Sequence, residues 1–279
     1  MSNVRAFLAP TPPEILYHYT TPAGLLGIIS NGEIWAGHTQ YLNDQREFKH
    51  AISIIDNEIG LMKRDPQHAG DRELLDDMVT ALKDRETMNV CVCSFSERGD
   101  VLSQWRAYSG ATGFSIGFRG EFLQRISESQ QFWLTKCIYD EEQQRNVMRT
   151  LLNDVLRENQ SLHPSDDKRV PGGNLREYLN RYAPILKHKT FEEEQEWRII
   201  SQPLSCTRHG FDFRAGPSML IPFFRVPLST DGEPFHIEEI VIGPTPHSRQ
   251  SRRALQSLLT KYDLRDTKVR NTQTPFRNW

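Results

Sequence analysis

The sequence predicts an α+β fold in a single domain that spans residues 1–279. Helical and strand-like segments follow one another irregularly, without the regular βα alternation of a doubly wound sheet. Hydrophobic residues make up 37% of the chain and charged residues 25%, a balance that supports a packed core and argues against wholesale disorder. Neither an internal repeat nor a low-complexity tract divides the chain, so one compact domain is the simplest interpretation.

The first elements are a strand, a helix and a second strand. Ile15–Tyr19 has the pattern of a short strand that leads directly into a helix. Thr21 suits the N-cap of that helix, Pro22 its first position and the pair Asn31-Gly32 its left-handed end. The next strand is predicted over Glu33–Ala36.

The middle of the chain continues with further helices and strands. Asp44 and Glu47 form a capping-box pattern in front of a long amphipathic helix. Apolar residues at helical spacing, or in short uninterrupted runs, predict the other elements. These are helices over Asp71–Glu86, Val101–Gly110 and Glu141–Asn159, and strands over Met88–Glu97, Thr112–Phe118 and Phe132–Asp140.

The second half begins with the clearest loop signal in the sequence. Ser161–Asn174 combines prolines, glycines and aspartates, which predicts a flexible loop without requiring a domain boundary. Beyond it the sequence predicts a helix over Leu175–Lys189, strands over Glu192–Ser201, Ser218–Leu228 and Ile237–Pro244, a basic helix over Arg252–Tyr262 and a short terminal strand.

Composition excludes several classes of protein. The formal net charge of −2 gives no overall attraction to nucleic acids or anionic membranes. The four cysteines are not spaced as a zinc site or a disulfide framework, and no metal is expected. The first residues lack the apolar segment of a signal peptide, and no run approaches the roughly 18 apolar residues that span a bilayer. The expected location is the cytoplasm, without a membrane partner.

The C-terminal segment departs from this neutral balance. Between Thr245 and Trp279, eight lysines and arginines stand against two aspartates. A basic face of this kind binds phosphates in nucleic-acid-binding proteins, whereas a solvated helix face that complements an acidic body explains it as well. The basic residues that carry the nucleic-acid hypothesis are Arg249, Arg252, Arg253, Lys261, Lys268 and Arg270.

Tyr17-His18-Tyr19-Thr20 is the first candidate functional segment, because it ends a strand beside a helix N-terminus. A histidine there can donate to a ligand hydroxyl while exposed backbone N–H groups approach an anion or a carbonyl. A histidine that simply hydrogen-bonds the next loop gives the same pattern. The residues alone leave both interpretations open.

Glu192–Ile200 is the second candidate, because it carries acidic residues into an apolar run. As a strand, it places Glu194, Glu196 and Arg198 on one face and its apolar residues on the other. The guanidinium would keep the neighbouring carboxylates ionised. A solvent-facing edge strand explains the same residues equally well.

Three aromatic residues are candidates for a ligand platform. Trp105 and Tyr108 are three residues apart and share one face of their predicted helix, although such pairs also pack in cores. Tyr41 precedes the capping segment and is a candidate stacking surface. The sequence contains no glycine-rich phosphate loop, His-Glu-x-x-His pattern or Gly-x-Ser-x-Gly elbow.

Taken together, these motifs resemble a known family. LYHYT, YLND, CSFSE with a following Trp-x-x-Tyr pair, FEEEQEWR, IVIGP and TPFR occur in this order between Leu16 and Arg277. Their order and spacing resemble the domain-of-unknown-function 2971 family, which carries little assigned biochemistry. The first motif is also similar to the Tyr-His-Gly-Thr segment of diphtheria-toxin-like ADP-ribosyltransferases, and Glu194-Gln195-Glu196 is similar to their Glu-x-Glu strand. Tyr19 departs from that pattern, because the toxins have glycine at this position.

The resemblance to ADP-ribosyltransferases implies a mixed, split sheet flanked by helices, and NAD as the substrate. It implies that Glu196 stabilises the oxocarbenium ion that forms as nicotinamide leaves. Glu194 would orient or deprotonate the acceptor, and His18 would hold the NAD ribose. The other residues implied in the NAD site are Tyr19, Thr20, Tyr41, Ser94, Ser96, Trp105, Tyr108 and Arg198.

The function expected from this resemblance is that of an NAD-dependent ADP-ribosyltransferase, either a bacterial toxin or an antiphage effector, that modifies an unidentified protein or nucleic acid. Water as the acceptor would make it an NAD glycohydrolase. A non-catalytic nucleotide-sensing or interaction module is the alternative from a different class, and Tyr19 slightly favours it. A neutralising or regulatory partner protein is expected under the toxin interpretation.

Overall fold

A computed structural model describes residues 10–41, 45–83, 89–109, 112–160, 171–229 and 234–274. Helices and strands both occur throughout these ranges, which confirms the α+β class. The predicted capping residue Asp44, the predicted helix end at Gly110 and the closing Arg277 lie outside the described residues.

Ten strands and eight α-helices are present in the described residues. The strands are β1 (Ile15–Thr20), β2 (Glu33–His38), β3 (Cys91–Ser96), β4 (Phe114–Arg119), β5 (Trp133–Lys136), β6 (Glu196–Ile200), β7 (Phe211–Ala215), β8 (Leu220–Pro227), β9 (Glu239–Ile242) and β10 (Lys268–Asn271). The helices are α1 (Pro22–Asn31), α2 (Gln45–Arg64), α3 (Arg72–Lys83), α4 (Leu102–Tyr108), α5 (Gly120–Ser129), α6 (Glu141–Gln160), α7 (Pro171–Tyr182) and α8 (Ser248–Lys261).

The strands form one mixed sheet in the order β10-β9-β4-β1-β3-β2-β8-β7, with β6 paired to β3 and β5 paired to β6. The pairing of β9 with β10 is parallel, and the other strand pairs are antiparallel. This arrangement confirms the prediction of a mixed sheet flanked by helices.

The sheet divides at β3. β6 pairs with β3 along its length, from Val92 to Ser96. Because a strand has two edges, β1 and β2 share the other edge: β1 pairs at Ser96, and β2 pairs at Cys91 and Val92. β1 and β2 therefore diverge from opposite ends of β3, which splits the sheet.

Helices cover both faces of the sheet. We call them the α1 face, which packs on α1, α5 and α8, and the α6 face, which packs on α2, α3, α6 and α7. Side chains alternate between the two faces, so Ile199 of β6 is in the core of the α1 face and Ile200 in that of the α6 face. Residues of even and odd number on one strand thus enter different environments.

The start and end of α1 follow directly from the sequence. Thr21 accepts a hydrogen bond from the N–H of Gly24 at 3.1 Å, and Pro22 occupies the first turn. Gly32 ends the helix with φ of 64°, and its N–H donates to the carbonyl of Ile28 at 2.9 Å. These features confirm the predicted cap, start and stop.

Two elements were not predicted, and one predicted loop is partly wrong. Helix α5 begins without a side-chain cap, so its sequence lacks the usual start signal. Strand β7 alternates apolar and polar residues, but it has only five residues and is largely exposed, so its pattern is too short to stand out from the surrounding loop. Residues 171–174 begin helix α7, because proline is favoured in the first turn; residues 161–170 lie outside the described residues.

No helix in the described residues is both long enough and apolar enough to cross a membrane.

Candidate functional site

The candidate site lies where the chain enters β6. Glu194 ends a 3-10 segment, Lys189–Glu194, and Gln195 follows in the left-handed region with φ of 41°. β6 begins only at Glu196. The predicted strand that placed three charged residues on one face is therefore wrong at Glu194, which reaches the same site through a turn.

Four charged side chains meet here in a buried ion cluster, which we define as Lys187, Glu194, Glu196 and Arg198. The Nζ atom of Lys187 lies 2.5 Å from a carboxylate oxygen of Glu194 and 2.5 Å from one of Glu196. Arg198 binds both carboxylate oxygens of Glu196, with Nε 2.7 Å from Oε1 and Nη2 3.0 Å from Oε2, the oxygen that Lys187 also binds. The cluster carries two positive and two negative charges, so it is neutral as a whole.

The cluster pushes the pKa values of its two carboxyl groups in opposite directions. Burial opposes the ionisation of Glu196, but Arg198 and Lys187 outweigh it and lower the pKa of Glu196 from 4.5 to about 2. Burial dominates at Glu194 and raises its pKa, although Lys187 acts against it. The pKa of Lys187 is raised despite burial, chiefly by Glu196. Glu196 is thus held ionised, whereas Glu194 binds a proton more readily than usual.

Aromatic side chains surround the cluster. Tyr108, at the end of α4, is 42% exposed, and burial of its hydroxyl together with the charge of Glu194 raises its pKa to about 12. Phe191 is 37% exposed and lies 5.2 Å from the Nζ of Lys187. The hydroxyl of Tyr139 accepts a hydrogen bond from the N–H of Glu196 at 2.9 Å. Tyr108 and Phe191 are therefore the partly accessible aromatic surface beside the charges.

The two predicted serines of β3 lie on the same face as Glu196 and Arg198. Ser96 pairs with Glu196 and Ser94 with Arg198 in the antiparallel register. The Ser96 hydroxyl donates to the carbonyl of Glu194 at 2.8 Å and accepts from the N–H of Arg98 at 3.1 Å. Ser96 therefore fixes the turn that presents Glu194.

His18 lies on the opposite face of the sheet. Its β1 neighbour Tyr17 pairs with Ser96, so alternation turns His18 towards the α1 face, away from Glu196. The His18 ring contacts residues of the α1 face: Cys93 Sγ is 4.0 Å from Nδ1, and the Phe95 ring centroid is 5.8 Å away. The described geometry does not bring His18 and Glu196 into one cleft.

The role that the structure shows for His18 is in the split of the sheet. Its Nδ1 lies 3.0 Å from the carbonyl oxygen of Ser94, on the length of β3 between its β1 and β2 pairings. Burial lowers the pKa of His18, and the bond to the carbonyl opposes that effect. Thr20 shares this face, where it is buried against α1.

Two other predicted residues are structural in the described residues. Tyr19 is buried, and its hydroxyl donates to the carbonyl of Arg98 at 2.7 Å and accepts from the N–H of Val101 at 3.0 Å. Trp105 is fully buried and packs edge-on against Tyr19, with ring centroids 4.8 Å apart. Tyr19 thus holds the loop before α4, and Trp105 is core rather than an accessible platform.

Tyr41 is accessible, and the aromatic ring that it contacts is that of His38. It is 39% exposed, and its ring packs edge-on against His38 at a centroid distance of 5.3 Å.

The basic C-terminal residues divide into two groups. Arg252 ties α8 to β10 through the carbonyl of Val269 at 2.8 Å, and Arg270 binds Glu239 at 3.0 Å. These two side chains therefore hold local structure. The exposed members of the set are Arg249, Arg253, Lys261 and Lys268.

Sequence reasoning missed Lys187, Tyr139 and Phe191. Lys187 lies in PILKHK, which has the pattern of a helix end, where lysine is common. In the structure, the chain leaves its 3-10 turn at Ile185, and Ile138 forms an isolated bridge with Leu186. No local sequence pattern predicts that bridge, which brings Lys187 to the site.

A separate cleft of about 330 Å³ lies at the far end of the sheet. Neither Glu196 nor His18 lines it. Its walls come from Glu33, Gln130, His209, Gly210, Phe211, Asp212, Phe224, Arg225 and Pro227. The described residues contain no group of three or more side chains suited to holding a metal ion.

Part of the chain matches a known protein family. The model of a family described as protein of unknown function (DUF2971) matches residues 104–199, a stretch that contains Tyr108 and the whole ion cluster but not His18. This match supports the family resemblance and lends no support to the ADP-ribosyltransferase resemblance. No curated protein and no solved structure matches the chain.

Proposed function

We propose that the chain is an NAD-dependent ADP-ribosyltransferase whose reacting groups are those of the ion cluster. The observation that carries the proposal is the pair of neighbouring carboxyl groups with oppositely shifted pKa values beside the partly exposed Tyr108. When the surroundings raise the pKa of one carboxyl group and lower that of its neighbour, the ionised group commonly stabilises charge and the other transfers a proton.

In this mechanism Glu196 acts as the permanent anion. The bond between the ribose C1′ and the nicotinamide nitrogen breaks, and its electron pair leaves with neutral nicotinamide. Positive charge develops on the ribose, and a carboxylate that accepts from the 2′-hydroxyl stabilises that charge most strongly in the transition state. A pKa of about 2 keeps Glu196 ionised throughout the physiological range.

Glu194 acts as the proton acceptor. The attacking group forms its bond to C1′ and loses a proton, which passes to the Glu194 carboxylate. A general base works best when its pKa approaches the working pH, and the pKa of Glu194 is raised in that direction. Lys187 bridges both carboxylates and so sets the distance between them.

Tyr108 supplies the wall for the nicotinamide ring. A positively charged ring is attracted to an aromatic face, and Tyr108 is exposed beside Glu194 and Glu196 whereas Trp105 is fully buried. Ser94 and Arg198 share the face of the sheet on which the substrate would lie. His18 and Thr20 have no contact with the substrate in this proposal. They position β1, His18 against β3 and Thr20 against α1.

The test is the release of nicotinamide from NAD. We expect Glu196→Gln to lower release by at least about a hundredfold, since electrostatic stabilisers of this kind contribute that much. Glu193→Gln is the matched control, because Glu193 is exposed and lies outside the cluster, and the glutamine oxygen can still accept the hydrogen bond that Ser103 donates to Glu193. Tyr108→Ala should raise KM for NAD more than it lowers kcat.

The fold of each variant is checked by circular dichroism, and Glu196→Asp serves as a second variant that retains the charge. Labelled NAD then distinguishes the acceptors: transfer to water identifies a glycohydrolase, and transfer to protein or nucleic acid identifies a transferase. Activity that survives in a folded Glu196→Gln variant refutes the mechanism.

A non-catalytic nucleotide-binding module is the second candidate. The observation that favours it is the complete pairing of Glu196, which is 5% exposed and bound by both Lys187 and Arg198. Calorimetry that shows NAD binding without nicotinamide release would select this candidate.

A further inference from the structure

Strand β7 ends the sheet on one side. It pairs with β8 alone among the described strands, and its residues from Phe213 to Ala215 are exposed. An uncovered edge strand presents unpaired N–H and C=O groups to any strand that can approach. Short length and charged side chains commonly limit pairing at such an edge. β7 has five residues, Phe-Asp-Phe-Arg-Ala, and its two charged side chains, Asp212 and Arg214, have opposite signs.

The outward backbone groups of β7 can be assigned from its pairing with β8. Phe213 stands opposite Pro222, which has no N–H and so cannot complete a hydrogen-bonded pair. The N–H of Arg225 donates to the carbonyl of Gly210 at 2.8 Å. Because hydrogen-bonded residues alternate along a strand, the backbone groups of residues 210, 212 and 214 point towards β8, which agrees with the assignment of Phe213. The N–H and C=O of Phe213 therefore point away from the sheet.

The outward N–H of Phe213 is held by a side chain of its own strand. It donates to Oδ1 of Asp212 at 2.8 Å, while the other carboxylate oxygen binds Arg225. Arg214 is exposed and makes no ion pair within the described part of the chain. The strand thus carries an unused cation two residues from a carboxylate.

This five-residue strand is complementary to itself. When two copies run antiparallel and Phe213 is placed opposite Phe213, Asp212 of each copy stands opposite Arg214 of the other. In that register the two Phe213 residues exchange both backbone hydrogen bonds. Asp212 and Arg214 then form the closer, non-hydrogen-bonded pair, in which cross-strand side chains interact most strongly.

We propose that β7 is a dimerisation edge and that its partner is the β7 of a second copy of this chain. The contact is isologous, with a twofold axis through Phe213. The N–H of Phe213 exchanges the Asp212 carboxylate for the partner's carbonyl, which releases Oδ1 of Asp212 for the partner's Arg214. Two sheets join into one continuous sheet across this edge.

The apolar side chains of the β7–β8 hairpin fit the same arrangement. Phe213 is 53% exposed and Leu220 68% exposed, and the register of β7 with β8 places both on one face. Met219, at the turn, is 58% exposed. Pairing across the twofold axis brings the two Phe213 rings together and shields part of this surface. Because the strand is short, the interface is small and the dimer is expected to be weak.

The experiment uses two charge-reversed variants of the full chain, measured by analytical ultracentrifugation over a concentration series. Arg214→Asp places two carboxylates opposite each other, and Asp212→Arg places two guanidinium groups opposite each other. Each variant alone should dimerise at least about tenfold more weakly than the wild type, because two attractive cross-strand pairs become repulsive. An equimolar mixture should dimerise at least about tenfold more tightly than either variant alone, because every cross-strand pair is again Asp with Arg. It should stay weaker than the wild type, since Asp212→Arg also removes the Asp212–Arg225 ion pair.

Controls separate this outcome from unfolding and from net charge. Arg265→Asp makes the same charge change at an exposed site away from β7 and should leave the dimer intact. Phe213→Pro removes the outward N–H without removing a bond to β8, so it should abolish dimerisation while circular dichroism stays unchanged. A wild type that stays monomeric up to its solubility limit overturns the proposal. Recovery that fails in the mixture, or a dimer that survives Phe213→Pro, also overturns it.

Discussion

Replacing Glu196 with glutamine removes one charge from the ion cluster while keeping the size of the side chain. Lys187 and Arg198 would then share Glu194 as their carboxylate, which leaves a net positive charge in a buried site. Breaking a buried ion pair in this way costs about 3–5 kcal/mol, because the remaining charge stays desolvated. The pKa of Glu196 gives a similar figure, since a fall from 4.5 to about 2 corresponds to about 3 kcal/mol.

The assay is urea denaturation followed by circular dichroism. At neutral pH we expect Glu196→Gln to lower the free energy of unfolding by about 3 kcal/mol, whereas Glu193→Gln should change it by less than about 0.5 kcal/mol because Glu193 is exposed. A second variant that combines Glu196→Gln with Lys187→Gln restores neutrality. It should be less destabilised than the sum of its two single variants.

The pH dependence of stability follows from the same lowered pKa of Glu196. The pKa of Glu196 is lower in the folded protein than in the unfolded chain, so its contribution is complete above about pH 4.5 and is lost as the pH falls towards 2. The difference in stability between the wild type and Glu196→Gln should therefore be constant from pH 6 to 8 and shrink below pH 4.5. A Glu196→Gln variant within 1 kcal/mol of the wild type at pH 7 would refute the reasoning.

Three further predictions concern the N-terminal strand and helix. Gly27→Ala should raise stability by about 0.5–1 kcal/mol, since a Cβ there meets no atom within 4 Å. Gly24→Ala should lower stability, because its Cβ would lie 2.0 Å from Thr20 Oγ1. Thermal melts compare the two variants. Thr21→Ala should cost about 1 kcal/mol by removing the N-cap bond, and a change near zero in chemical denaturation would contradict that role. NMR titration should give His18 a pKa below 6.5, because burial disfavours the protonated ring. The folded state therefore keeps its full stability above pH 6.5 and loses stability as the pH falls. A titration midpoint above 6.5 would contradict the buried position of His18.

Local elements were predictable where short-range chemistry decides them. The cap at Thr21, the proline after it and the left-handed Gly32 determine α1 within a dozen residues. The helical start at Pro171 was missed because the flexible composition of the preceding segment dominated the prediction. In α5 the helix depends on burial of one face without a cap, which is a property of the packed structure.

Three of the four members of the ion cluster were predicted from the sequence, but Lys187 and the geometry of the cluster were not. Glu194, Glu196 and Arg198 do meet, yet they meet because Gln195 turns the chain and Lys187 arrives from a separate segment. The separation of His18 from Glu196 depends on the register between β1 and β3. A shift of one residue in that register would put His18 on the face of Glu196, and register between distant strands is set by tertiary packing.

The three-way pairing of β3 has a consequence for how the chain is made. Ser96 pairs with Glu196, so β3 leaves the ribosome about 100 residues before the strand that covers one of its edges. During that interval the apolar segment Cys91–Ser96 has an open edge to which other chains can pair, the kind of exposure that chaperones shield. Such long-range pairing also slows folding. Once β6 has docked, the β3 amides should be among the last to exchange with solvent, because their release requires β1, β2 and β6 to separate.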